Sequence, residues 1–187
     1  MVRPIILSLF FSTATLLADS IDLTPHQETV PFDGGQMQRN YFIQGNKHIS
    51  YDIPGGWAAS GGGSRLTLTP PNKVQAEAVI ECLPLPAPQT YNEAQVKLLK
   101  ENAAAFIPGK AENVKQVAEK VNDFKVDGHE VYEVTTSYSF YGQAFELGVI
   151  YINAGPNQIR CHLVAHESDF NDLYAAFRRS FFSWGTM

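Results

Sequence analysis

Residues 129–166, HEVYEVTTSYSFYGQAFELGVIYINAGPNQIRCHLVAH, contain three apolar alternations separated by two turn signals. Successive side chains of a strand point to opposite faces, so a residue class that recurs at every second position marks one face of a sheet. The first run sets Tyr132, Val134 and Tyr138 against Val131, Glu133 and Thr135. Tyr141-Gly142 predicts a turn, after which Phe145, Leu147, Val149 and Tyr151 share a face. A second turn at 153–157 leads into a third run, in which Ile159, Cys161, Leu163 and Ala165 lie on one side. Strands joined by such short turns pair antiparallel. The stretch is a three-stranded meander.

Upstream the same alternation recurs. Residues 39–54, RNYFIQGNKHISYDIP, turn at Gly45-Asn46, a hairpin cue. RLTLTP, 65–70, and QAEAVIECLPLPAP, 75–88, predict two more strands, the second stopped by prolines that cannot continue a ladder. Between them and the first hairpin lies the glycine-rich stretch GGWAASGGGS, 55–64. A phosphate loop requires a Lys-Ser/Thr ending at a helix N-terminus, and this stretch has no Lys and runs into a strand. A nucleophile elbow requires Gly-x-Ser-x-Gly, which neither Ser60 nor Ser64 satisfies. The glycines are read as a hairpin connection.

Two segments have helical period. In TYNEAQVKLLKENAAAFIPG, 90–109, Val96, Leu99, Ala103 and Phe106 recur at helical spacing, Thr90 with Glu93 has a capping-box pattern, and Pro108-Gly109 ends the run. In SDFNDLYAAFRRSFFSW, 168–184, Phe170, Leu173, Tyr174, Phe177 and Phe181 form an apolar stripe, with Ser168 or Asp169 as the expected cap. Residues 112–122 are ambiguous: Val114, Val117 and Val121 follow a helical period, while the valine content allows a strand. Two helices and six or seven antiparallel strands predict an α+β protein, an α/β/α sandwich around a central sheet.

ISYDIPGGW, the capped helix, VDGHEVYEVTTSY, the meander and the closing FNDLYAAFRRSFFSW together resemble the PsbP-like superfamily over residues 39–184. That group includes the extrinsic photosystem subunit, the Mog-type Ran-binding proteins and exported bacterial proteins. The resemblance implies an α/β/α sandwich about an antiparallel sheet and a strand at 112–122. It also implies a non-enzymatic accessory role, docking on a larger partner; it brings no catalytic motif to carry over.

Totals narrow the function classes. A hydrophobic fraction of 44% and a charged fraction of 18% over 187 residues describe one globular domain. Fourteen basic against nineteen acidic residues, with Arg178-Arg179 the one basic cluster, argue against a nucleic-acid partner. The N-terminus, MVRPIILSLFFSTATLLADS, has a positive start, an apolar run too short for a membrane span, and small residues near Ala14 and Ala18. It reads as a signal peptide over 1–18, cleaved after Ala18. A polar N-terminal arm (19–38) and one domain (39–187) follow. The mature chain is expected to be periplasmic or secreted, without a transmembrane segment.

Two cysteines in an exported chain make Cys82 and Cys161 a candidate disulfide, since both fall on apolar strand faces; two separate buried thiols fit the same pattern. His162 and His166 have a helical metal-pair spacing, but in a strand four residues span roughly 13 Å, so surface or edge histidines are expected and no metal site is assigned. Glu77, Glu81, Glu130 and Glu146 offer no pattern that would make two carboxylates converge. No cofactor and no catalytic residue is assigned.

The candidate partner surface is aromatic: Phe140 and Tyr141 at a hairpin tip, and Trp57 after the Pro54-Gly55-Gly56 bend. Aromatic side chains at such places either meet a partner or fold back onto the sheet. The expected function is a non-enzymatic accessory or protein-binding module with an envelope or secreted partner. The alternative is a small-ligand-binding protein or hydrolase with a site between sheet and helix, using Glu146, His129 and His162.

Overall fold

The computed structural model describes residues 20–186; the segment read as a signal peptide lies outside them. Seven strands form one antiparallel sheet in the order β4-β5-β6-β10-β9-β8-β7. They are β4 (Ala58–Gly62), β5 (Arg65–Thr69), β6 (Glu77–Pro84), β7 (Glu112–Val126), β8 (His129–Phe140), β9 (Gln143–Ala154) and β10 (Asn157–His166). The meander is thus the β8–β10 segment, with Tyr132 opposite Tyr151 and Cys161 opposite Ile150. Residues 112–122 are strand, as the resemblance implied.

A helix lies on each face. α1 (Glu93–Ala104) buries Leu99 and Ala103 against Tyr132, Val134, Leu147, Val149 and Tyr151. α2 (Glu167–Ser180), followed by a 3-10 turn (Phe181–Ser183), buries Phe170, Leu173 and Phe177 against Ile150, Ile152, Cys161 and Leu163. Both caps differ from expectation. Asn92, not Thr90, caps α1, its side chain accepting from the Gln95 N–H at 2.9 Å. α2 begins directly after His166 with no side-chain cap, because β10 runs straight into it.

The sandwich has an addition that the pattern did not predict. Most of the segment read as a polar arm (19–38) belongs to β1 (Ile21–Phe32) and β2 (Gly35–Gln44). With β3 (Lys47–Ser50) and β11 (Gly185–Thr186) these form a second, four-stranded sheet, order β1-β2-β3-β11. Its inner face adds Ile21, Leu23, Phe42 and Ile49 to the core under α2, together with Tyr51 just beyond β3. The glycine-rich stretch is the seam between the sheets. The Leu23 N–H donates to the Gly63 carbonyl at 2.7 Å, and a Cβ on Gly62 would lie 2.4 Å from Thr24 Oγ1. Glycine is required there because another strand passes too close for a side chain.

β7 is the open edge of the large sheet. Register shifts interrupt its pairing with β8 in three places, and Val114, Val117 and Val121 are exposed. Bulges together with Lys115, Lys120 and Lys125 along the strand are devices that discourage edge-to-edge association. No helix among the described residues is long and apolar enough to cross a membrane.

Candidate functional site

The β8–β9 hairpin closes with Phe140 opposite Gln143, leaving Tyr141-Gly142 as a two-residue loop. Both loop residues have positive φ, +49° at Tyr141 and +75° at Gly142, the pattern of a type I′ turn. The neighbouring β7–β8 hairpin uses the same solution with Asp127-Gly128, φ +48° and +78°. Asp and Asn tolerate this left-handed backbone; a bulky aromatic residue there is an outlier. Tyr141 obtains little packing in return, since it is 80% exposed. Its ring is tilted against that of Phe140, centroids 4.4 Å apart.

Beside this tip lies an open groove of about 500 Å³ on the α1 face. Its floor is the stacked pair Tyr138 and Phe145, 5.7 Å between centroids. Phe140 and Tyr141 form one wall, and Val164 with Gln75 the other. Gln75 is also held at positive φ, +61°, and its neighbour Val74 is 80% exposed. Burial alone raises the Tyr138 hydroxyl above its ordinary pKa, so it stays protonated and able to donate.

Trp57 is not part of this surface. It packs over Phe177 with the rings nearly parallel, 6.3 Å apart, against the core on the α2 face. Phe140 packs against the α1-face cluster. The sequence grouped the two as one surface; the sheet separates them.

Glu146, His129 and His162 are likewise separated. Glu146 pairs with Ala165, whose side chain joins the core under α2, whereas His162 stacks on Phe106 on the opposite face at 4.2 Å. Glu146 is also opposite Ser137, eight residues along β8 from His129, which is roughly 26 Å of strand. His162 is buried rather than at the surface, with no hydrogen-bond partner on Nδ1. Burial pushes its pKa down to about 4, with Arg65 and Arg160 adding to the effect and Glu81 opposing it. Cys82 and Cys161 are free, buried thiols. Cys82 is opposite Ile159 and Cys161 opposite Ile80, so the two are diagonal neighbours on one face. Diagonal residues lie about 7–8 Å apart, beyond the reach of an unstrained bridge.

The grouping of Glu133, Tyr174 and Arg178 had no counterpart in the sequence reading. A cleft of about 430 Å³ lies between α2 and the β7–β9 edge of the sheet. At its base the buried Glu133 carboxylate accepts from Tyr174 Oη at 2.9 Å and from Arg178 Nε at 3.1 Å. Arg178 also donates to Asp123 at 2.8 Å and lies over the Phe124 ring at 4.1 Å. Glu146 lines the same cleft, its carboxyl held above the ordinary range by burial and by Glu167. Gly148, a glycine in mid-strand, was the available signal, because it marks a place where another group approaches the sheet. Among the described residues no group of three or more His, Cys, Asp or Glu is placed to hold a metal.

No protein-family model and no curated protein matches the chain. Solved structures do. The solution structure of cyanobacterial PsbP (CyanoP) from Synechocystis is similar over 96% of this chain and 99% of its own, at 10% identity and TM-score 0.47. LpqN of Mycobacterium tuberculosis, described as involved in cell envelope biogenesis, is similar over 88% and 92%, at 13% identity and TM-score 0.48. A protein of unknown function from Pseudomonas aeruginosa is similar over 84% and 94%, at 14% identity and TM-score 0.44. The likeness is one of overall fold alone; no activity or partner is carried over from these proteins.

Proposed function

We propose that this chain is an exported, non-enzymatic binding module that holds a protein partner at the β8–β9 tip. The observation that supports this is Tyr141: a large aromatic residue in a left-handed turn position, four-fifths exposed, on the wall of an open groove. Strained positions persist where something other than local stability retains them. Exposed aromatic residues beside a groove are the usual anchors of protein recognition.

The test is a photo-reactive phenylalanine analogue installed at position 141 in the native host, with the same residue at Leu98, 48% exposed on α1, as control. Stoichiometric cross-linking to one envelope or secreted protein from 141, and not from 98, is expected. Absence of any adduct from 141 would overturn the assignment.

A second reading, a small ligand held between sheet and helix, is favoured by the α2 cleft and its Glu146 carboxyl. Chemical-shift changes confined to Asn171, Thr135 and Glu146 on adding a metabolite mixture would support it, and a silent cleft would remove it.

A further inference from the structure

The α2 cleft owes its shape to one row of the sheet. Ala118, Thr135 and Gly148 stand in register across β7, β8 and β9. Phe170 and Tyr174 close over Gly148, where there is no side chain to meet them. Above Ala118 and Thr135 the sheet stays uncovered, and there the cleft opens. At the bulge between Gln116 and Ala118 the β7 ladder shifts register, and the exposed Val117 lines the cleft wall.

Two polar side chains of the lining have no partner among the described residues. Thr135 is only 8% exposed, yet its hydroxyl makes no hydrogen bond. Glu146, half-buried, forms neither a hydrogen bond nor an ion pair. Thr135 is opposite Gly148, and Glu146 lies two residues before it, so the two are diagonal neighbours on one face. At about 7–8 Å between Cα atoms, the long Glu side chain can reach a small group held by the Thr hydroxyl.

The other charges around the cleft are already matched. Glu133 is held by Arg178, Lys120 by Asp123 and Glu119 by Lys100. The charge that acts on Glu146 is that of Glu167, of the same sign. Lys115 stands across β8 from Glu146, with Ser137 between them, and makes no ion pair with it.

An ionised carboxylate accepts and cannot donate, so Glu146 selects a positively charged donor. The Thr135 hydroxyl can do either and does not decide the sign. An anion would have to displace Glu133 from Arg178. A calcium ion takes about six to eight oxygen ligands, and among the described residues no three metal-ligating side chains are grouped. An ammonium group instead brings three donors to one point, for the carboxylate, the hydroxyl and the water at the open mouth. Ala118, Val117 and Ala175 supply an apolar path for a carbon chain. From Glu146 on β9 to Val117 on β7 that path is two strand spacings, roughly 10 Å. Resting on the small-ligand reading of this cleft, we propose that it binds a small primary alkylammonium ion, with the head group between Glu146 and Thr135.

The probe is n-butylammonium chloride, titrated into the purified protein at about pH 8 and followed by amide chemical shifts. Butanol, butyrate, butylguanidinium and potassium chloride are the comparison ligands. Saturable shifts at Ala118, Thr135, Glu146 and Asn171, half-complete below about 5 mM, are expected with the ammonium ion. Glu146→Gln keeps the shape of the side chain and should weaken binding at least about tenfold. Thr135→Val removes the hydroxyl alone and should weaken it about threefold. Neither substitution breaks a hydrogen bond, so both variants should fold, and unchanged amide shifts away from the cleft check this. No saturable shift, unchanged affinity in either variant, or equal binding of any comparison ligand would each overturn the assignment. If a metabolite mixture perturbs the cleft while butylammonium is silent, the ammonium assignment fails and the ligand site stands. If both are silent, both fail.

Discussion

The Tyr174 ring occupies the space that a side chain on Gly148 would need: a Cβ there would lie 2.3 Å from Tyr174 Cε2 and 2.7 Å from Cδ2. The ring cannot withdraw freely. It is stacked on Phe170 at 5.0 Å, and its hydroxyl is held by Glu133. Gly148→Ala should therefore cost about 1–3 kcal/mol through overpacking, read as a lower urea midpoint with unchanged slope. An unchanged midpoint would mean that α2 can shift over the sheet at no cost.

Arg178 neutralises a carboxylate that has almost no access to water. Glu133 is 4% exposed, and without Arg178 it would keep only the Tyr174 hydroxyl. Breaking one side of a buried pair costs more than the pair itself contributes, so Arg178→Ala should destabilise the chain by about 3 kcal/mol. Glu133→Gln in the Arg178→Ala background should recover part of that loss, because it removes the stranded charge. A double-mutant cycle measures the coupling. Strict additivity of the two substitutions would show that they do not act as a pair.

His162 gives the stability a pH dependence of definite sign. Its pKa falls from the ordinary 6.5 to about 4 on folding, with burial between β10 and Phe106 as the main cause. The unfolded chain then binds the proton more readily, so stability is fully present above about pH 6.5 and is lost as pH falls toward 4. The loss attributable to this residue is of the order of 3 kcal/mol. Lowered carboxylates such as Glu81, held by Arg160, lose stability over the acidic part of the same range, so the difference between the wild type and His162→Phe is the quantity to measure. Parallel stability curves between pH 7 and 4 would show that His162 titrates normally.

What the sequence revealed of this fold followed from local period. The meander, both helices and the faces of Cys82 and Cys161 could be read because alternation and helical spacing are set by backbone geometry within one element. β1 could not be read as a strand, because Pro25 and Pro31 interrupt it and its apolar residues Ile21 and Leu23 serve a core contributed by other segments. The Glu133–Tyr174–Arg178 cluster joins residues 41 and 45 positions apart, and only the docking of α2 brings them together. The tip was legible as a turn with aromatic residues. Its separation from Trp57 was not, since that depends on which face each hairpin presents.

The hairpin tip yields a prediction that distinguishes a packing residue from a binding one. Asn is far better suited than Tyr to the first position of a type I′ turn, and Tyr141 already sits at φ +49° before a glycine. At 80% exposure the ring has little packing to lose beyond its contact with Phe140. Tyr141→Asn should therefore raise stability by about 0.5–1 kcal/mol, a rise of a few degrees in Tm for a chain of this size. The same substitution should abolish cross-linking to the partner when the photo-reactive residue is placed at the adjacent Gln143. A gain in stability with a loss of binding is the signature of a residue kept for its partner. A fall in Tm with cross-linking intact would instead make Tyr141 part of the fold, and the groove beside it a surface without an anchor.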